Sequence, residues 1–386
     1  MKAGIAALTA AYVLSQFYRA FLAVLAPAIE ADLGVTEAQL ARASGLWFLA
    51  FAAMQLPVGW SLDRLGPRAT SAALLAIGGA GGAALMAAAT ARWQIDLAMV
   101  LIGVGCAPVL MANYYIFARI YSPAVFGTLA GVLIGVGSVG NIAASLPLSA
   151  AADALGWRAT VWVLAGVTAA VAAACHLLVR DPPPADDTGA GGLMDLLRIP
   201  AMWAILPLML VNYAPAAGLR GFWVGPYVAE TFDPGAVGVV TLTMGLAMIA
   251  GNLAYGPADR WFGTRKWVVL VGNLLGAAGC LVLWAAPTAG LWPAAATLAL
   301  IGAAGSSFPL LVAHGRAFFP PALVGRGVTL MNLFGIGGVG VMQFATGPLF
   351  EAAGGGVDGY RALFAAFGLA LLAGTAIYLA APDRTD

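Results

Sequence analysis

Apolar residues run along this chain in long blocks, separated by short polar turns, almost without exception. Twelve blocks can be marked, at 4–29, 38–60, 69–89, 95–118, 125–151, 159–179, 199–227, 237–258, 267–286, 292–313, 324–350 and 362–381. Each is close to the ~20 residues that an α-helix needs to cross the hydrocarbon core of a bilayer. The first block opens directly after Met1-Lys2 and is read as a retained span, because it is too long for a leader and further spans follow it. The longest polar interruption covers 180–198 and opens Arg180-Asp181-Pro182-Pro183-Pro184. It divides the chain into a half at 1–180, a linker at 181–198 and a half at 199–386, with six spans on each side. The predicted fold class is an all-α polytopic membrane protein with 12 transmembrane helices.

Composition agrees with the pattern and removes the alternatives. Of 386 residues, 62% are apolar and 9% are charged, with a formal net charge of +1. Soluble domains carry about 25% charged residues. A water-soluble enzyme, a disordered chain and a basic nucleic-acid binder are therefore excluded, and the expected surroundings are the lipid bilayer. Cys106, Cys175 and Cys280 lie inside apolar blocks with no paired spacing, so inert buried thiols are expected. No GxxxxGK[ST] loop and no catalytic constellation is present, so neither ATP-driven transport nor enzymatic activity is expected, and no cofactor is implied.

Basic residues orient the chain. With the N-terminus cytoplasmic, Lys2, Arg64, Arg68, Arg119, Arg180, Arg198, Arg260, Arg265, Lys266, Arg316, Arg326 and Arg384 all fall inside. Only Arg92, Arg158 and Arg361 fall outside. Both termini are then cytoplasmic.

The halves repeat at an offset near 200 residues. Asp63-Arg64-Leu65-Gly66-Pro67-Arg68 between spans 2 and 3 is matched by Asp259-Arg260-Trp261-Phe262-Gly263-Thr264-Arg265 between spans 8 and 9. Pro108 matches Pro309, Pro147 matches Pro348, and Arg19…Pro27 is echoed by Arg220…Pro226. Repeats of this kind place a substrate site near the midplane.

Twelve spans in two pseudo-symmetric halves, with GxxxDRxGxR in the 2–3 turn, resemble the major facilitator superfamily. The resemblance implies a secondary transporter working by alternating access. It implies gating roles for Asp63, Arg64, Arg68, Asp259, Arg260 and Arg265, although Pro67 stands where the family has a basic residue. It also implies that spans 1, 4, 7 and 10 and parts of 5 and 11 line the cavity, and on that ground Tyr18, Gln16, Tyr114, Asn212, Tyr213 and Asn332 are the favoured uncharged contacts.

Charge inside a membrane is costly and marks function or pairing. Every Asp and Glu falls in a turn, the linker, the tail or at a span end, so no acid is available mid-span for a proton relay. Arg19 in span 1 and Arg220 in span 7 remain, on matched helices. Planar guanidinium groups suit carboxylate or phosphate, and a pair of them reads either as an anion clamp or as a structural lock. Pro215 and Gly218 are placed to break span 7 beside Arg220. The Gly-rich runs at Gly131-x-x-x-Gly135-x-Gly137 and Gly335-x-Gly337-Gly338-x-Gly340 are read as close helix packing in spans 5 and 11.

Met244-x-x-x-Met248 puts two thioethers on one face of span 8, a soft donor set for Cu(I) and equally an ordinary packing stripe. The chain resembles the bacterial branch of the superfamily that contains copper importers for cytochrome oxidase assembly and riboflavin transporters, but it has no His-xxx-Met partner motif. The expectation is an inner-membrane transporter, monomeric, carrying a small organic and potentially anionic nutrient or a vitamin such as riboflavin. A copper importer and a transporter-like ligand sensor are the alternatives.

Overall fold

The computed structural model describes residues 2–121, 123–182, 193–320 and 323–384. The described residues are helical throughout, with no strand among them. Ten helices are long and apolar enough to cross a membrane, and two bent helix pairs bring the number to as many as twelve. The chain separates into two compact units, Met1–Asp187 and Thr188–Asp386. Most of the expected 181–198 linker, at 183–192, lies outside the described residues.

In the first unit, span 1 is a bent pair, Lys2–Tyr18 and Phe21–Leu33, turning by 50° at Arg19-Ala20. Span 2 bends by 40° at Met54, between Glu37–Ala53 and Gln55–Arg64. Spans 3, 4, 5 and 6 follow as Gly66–Ala87, Arg92–Ile120, Val132–Leu155 and Trp157–Leu178. Span 4 breaks at Ala107, ahead of Pro108. Proline cannot donate to the helix ladder and its ring crowds the preceding turn, so the break falls where the sequence puts it.

In the second unit the spans are Pro200–Thr231, Pro234–Phe262, Lys266–Ala285, Leu291–Arg316, Arg326–Ala352 and Gly356–Tyr378. Span 7 is interrupted at Tyr213, ahead of Pro215, and winds as a π-helix over Leu219–Trp223. Span 10 is interrupted at Ser306-Ser307, ahead of Pro309, mirroring the break before Pro108. The repeat is not complete: Pro348 sits inside one continuous helix, Val324–Ala352, whereas Pro147 follows an interruption at Ala144-Ser145.

Glycine packing repeats between the units at nearly the offset of the sequence repeat. A Cβ on Gly140 of span 5 would collide with the Val13 carbonyl of span 1, and one on Gly338 of span 11 would collide with the Leu210 carbonyl of span 7. Backbones approach here as only glycine permits, which is how helices associate where lipid tails compete for every apolar side chain. Of the expected runs, Gly137 meets the Tyr12 ring and Gly335 meets Phe308 and Met209, while Gly135 faces open space.

Polar ties close the ends of the first unit. Asp32 accepts from Arg158 Nε at 2.8 Å and from Trp157 Nε1 at 3.1 Å, while Arg158 Nη1 donates to the Ala87 and Ala89 carbonyls. Spans 1, 3 and 6 are joined there. Arg42 of span 2 pairs with Asp96 of span 4. Large apolar side chains point outward from both units, with Ile77 71%, Leu177 77% and Leu253 74% exposed. In water such a surface would aggregate; in lipid it is the expected exterior.

Candidate functional site

In the first unit the bend in span 1 presents Arg19. Its guanidinium lies 5.7 Å from the Trp47 ring and 5.0 Å from the Phe51 ring, two rings that are stacked one helical turn apart on span 2. Cation–π contact of this kind offsets part of the cost of holding a cation among apolar groups. Arg19 makes no ion pair and no hydrogen bond among the described residues, and its Nε is buried without a partner. Cys106 of span 4 lies beside Arg19 and Ser15.

The other predicted contacts of this unit divide. Gln16 is 9% exposed and its Oε1 is buried without a hydrogen-bond partner. Tyr18 is buried with its hydroxyl bonded to Thr168 Oγ1 of span 6 at 2.8 Å, so it ties spans 1 and 6 together. Tyr114 is half-buried on span 4. The sequence reading missed Trp47 and Phe51. Their spacing of four on span 2 is visible, but nothing in the sequence ties them to Arg19.

In the second unit Arg220 is buried, within the π-helical segment of span 7. π-bulges widen a helix and are frequent at functional positions. A Cβ on Gly245 of span 8 would lie 2.7 Å from Arg220 Nη2, so the guanidinium rests on that glycine. Asn212, at the end of Pro200–Asn212, donates to Asn273 Oδ1 at 2.8 Å and to Ser307 Oγ at 2.9 Å. Tyr213 packs on the Phe308 ring at 5.1 Å. Asn332 is half-buried on span 11. Asn212 thus links spans 7, 9 and 10 internally, while Arg220 and Tyr213 lie within electrostatic reach of each other.

The residues expected to gate are found at one end of each unit. Asp63 pairs with Arg119 at 3.7 Å, and Arg119 lies 3.9 Å from the Tyr115 ring. Arg64 stacks on Trp60 at 5.7 Å. The side chains of Arg64 and Arg68 form no ion pair among the described residues; the Arg68 backbone N–H instead donates to Asp181 at 2.8 Å. In the second unit Asp259 pairs with Arg265 at 3.0 Å and Arg260 is exposed.

Met244 is fully buried and Met248 half-buried. Both thioether arms pack on Gly302 of span 10, each Cγ 3.0 Å from where a Cβ would stand. No group of three or more His, Cys, Asp or Glu that could hold a metal occurs among the described residues.

No curated protein matches the chain by sequence. Solved structures do match it in fold. A bacterial homologue of the human lysosomal transporter Spinster superposes with a TM-score of 0.78 at 17% identity, covering 98% of this chain and 96% of that one. The nucleoside transporter NupG gives 0.73 at 14%, covering 98% and 99%. The xylose transporter XylE from E. coli gives 0.76 at 13%, covering 99% and 96%. A family model described as Major Facilitator Superfamily matches residues 8–222, more than half of the sequence. With its helix pattern, its internal repeat and this match together, the chain belongs to the major facilitator superfamily.

Proposed function

We propose that this protein is a secondary transporter that carries a small organic anion across a bacterial inner membrane by alternating access. Arg19 supports this reading most directly. A guanidinium inside a span, with no ion pair among the described residues, is costly unless a ligand meets it. Arg220, on the matched helix of the other unit, is the second proposed contact. Gln16, Tyr114, Tyr213 and Asn332 are the accompanying polar side chains.

Tyr18 is better explained as an internal tie, since its hydroxyl is bonded to Thr168; the Asn212 NH2 is likewise bonded within its unit to Asn273 and Ser307, while its Oδ1 is buried without a partner. Asp63, Arg64, Arg68, Asp259, Arg260 and Arg265 are proposed to bias the gate on the cytoplasmic side. Pairs such as Asp63–Arg119 and Asp259–Arg265 would be broken and remade there. Nothing in the placement of these residues singles out riboflavin among organic anions. The copper reading is disfavoured by the packing of Met244 and Met248 on Gly302.

The test is uptake of labelled organic anions into proteoliposomes holding the wild type, Arg19→Gln or Arg220→Gln. Loss of anion uptake in both variants, with melting temperatures kept, is the expected result. Full uptake of an anionic substrate by both would exclude the two arginines as contacts.

A further inference from the structure

Around Arg19 the first unit leaves several polar groups without partners, and together they describe a ligand more narrowly than a charge alone does. The unpartnered atoms are Arg19 Nε, Gln16 Oε1 and Trp47 Nε1. Trp47 is 1% exposed and Gln16 9%. Buried polar groups are almost always satisfied, so these three exceptions need an explanation. Gln16 stands on the last turn of Lys2–Tyr18, three residues before Arg19 at the bend. Trp47 stands under the Arg19 guanidinium.

We infer that this cluster binds a hydroxylated monocarboxylate, with the carboxylate on Arg19 and Trp47 and a hydroxyl on Gln16. The inference rests on the transporter reading above and narrows its substrate class. The guanidinium and the indole N–H are donors only, so they need an acceptor. Arg19 brings a single positive charge, which one carboxylate balances; a phosphate dianion would leave a negative charge in a low-dielectric setting.

Gln16 offers an amide, with a carbonyl that accepts and an NH2 that donates. A hydroxyl both donates and accepts, so it meets either end of that amide. An ammonium group only donates, and it would stand beside the Arg19 cation. Four acids of this unit are already engaged elsewhere: Asp32, Asp63 and Asp96 by Arg158, Arg119 and Arg42, and Asp181 by the Arg68 N–H. A hydroxy acid therefore satisfies the cluster where an amino acid does not. The stacked rings of Trp47 and Phe51 lie against the guanidinium, 5.7 and 5.0 Å from it.

Two matched sets of probes separate these features: lactate, propionate and alanine, which differ only at the second carbon, and gluconate, hexanoate and sorbitol at six carbons. Thermal shift of the purified protein and competition for uptake in proteoliposomes are measured for each. Lactate or gluconate is expected to bind at least about tenfold more tightly than its deoxy partner, with no binding of alanine or sorbitol. Gln16→Leu is expected to bring the hydroxy-to-deoxy ratio close to one while carboxylate binding persists. Gln16→Glu, which gives Arg19 a counter-ion, is expected to abolish carboxylate binding.

Equal binding of hydroxy and deoxy acids by the wild type overturns the inference. So does preference for alanine, sorbitol or glycerol 3-phosphate, an unchanged ratio in folded Gln16→Leu, or no response to either hydroxy acid. Transport of glycerol 3-phosphate alone would remove this substrate class and leave the organic-anion transporter reading standing, whereas transport of sorbitol alone would leave a transporter but overturn the anion reading. Ligand-specific thermal shifts with no flux of any solute would remove the transporter reading itself.

Discussion

The Asp181 carboxylate accepts a hydrogen bond from the Arg68 backbone N–H at 2.8 Å, so the residue that follows span 6 closes the first turn of span 3. The second unit repeats the arrangement: Asp383, after span 12, accepts from the Lys266 N–H at 3.0 Å at the start of span 9 and is bonded by Thr264 Oγ1. Helix N-termini leave backbone donors unpaired and favour negative charge, so each carboxylate satisfies a donor and the helix dipole at once. Asp181→Ala and Asp383→Ala should each cost about 1 kcal/mol, as other lost N-terminal caps do. Thermal melts of the purified variants would read this as a small fall in midpoint, and an unchanged midpoint in both would show the contacts to be incidental.

Acid should loosen the second of these caps. Burial pushes the Asp383 carboxyl up, but the bonds from Thr264 and from the Lys266 and Arg265 N–H groups outweigh it and hold the group below its ordinary value. A depressed carboxyl stabilises the fold above its unfolded pKa, and that contribution is lost as pH falls through the folded value. Stability should therefore decline below about pH 4, and less so in Asp383→Asn. Melting midpoints across that window for the two proteins make the comparison; parallel curves would contradict it.

Gly140 and Gly338 should not tolerate a methyl group. Each faces a carbonyl of the neighbouring span, Val13 or Leu210, so alanine forces two backbones apart. A loss of about 1–3 kcal/mol is expected for each. Gly135→Ala, where a Cβ meets nothing within 4 Å, is the control and should be neutral. Yield and melting midpoint in detergent distinguish the three.

Gly245→Ala should act on Arg220. The added methyl would stand 2.7 Å from Nη2, and the guanidinium, at the end of a flexible arm, would have to move. Uptake of an organic anion should fall at least about fivefold, since a misplaced group loses much of its binding geometry. A midpoint near that of the wild type would separate this from misfolding, and normal uptake would place Arg220 outside the transport path.

Met244→Leu with Met248→Leu should cost less than about 1.5 kcal/mol, because leucine nearly conserves volume against Gly302. Cellular copper content should be unchanged. A copper defect in the folded double variant would reinstate the thioethers as ligands.

Much of this protein is legible without coordinates, because a bilayer imposes length and polarity on each segment. Twelve apolar blocks, the prolines at 108, 215 and 309 and the two intramembrane arginines are local properties; the break ahead of Pro215 is as expected, and the helices break ahead of Pro108 and Pro309 as well. The bend at Arg19-Ala20 was not legible, since neither proline nor glycine stands at it. The direction of each polar side chain was not legible either. Tyr18 and Gln16 are two residues apart in one helix, yet Tyr18 is spent on Thr168 while Gln16 Oε1 is left without a partner.

The sequence by itself determined that this chain lives in a membrane, where charge is scarce and each surviving charge is informative. Only the tertiary structure decided which charges were already answered. Arg158 and Arg42 found Asp32 and Asp96 on distant spans, whereas among the described residues Arg19 found no counter-ion and lies against the rings of Trp47 and Phe51. Hydropathy is a property of neighbours along the chain, whereas a counter-ion or a hydrogen-bond partner is a neighbour in space. The second cannot be read until the helices have packed.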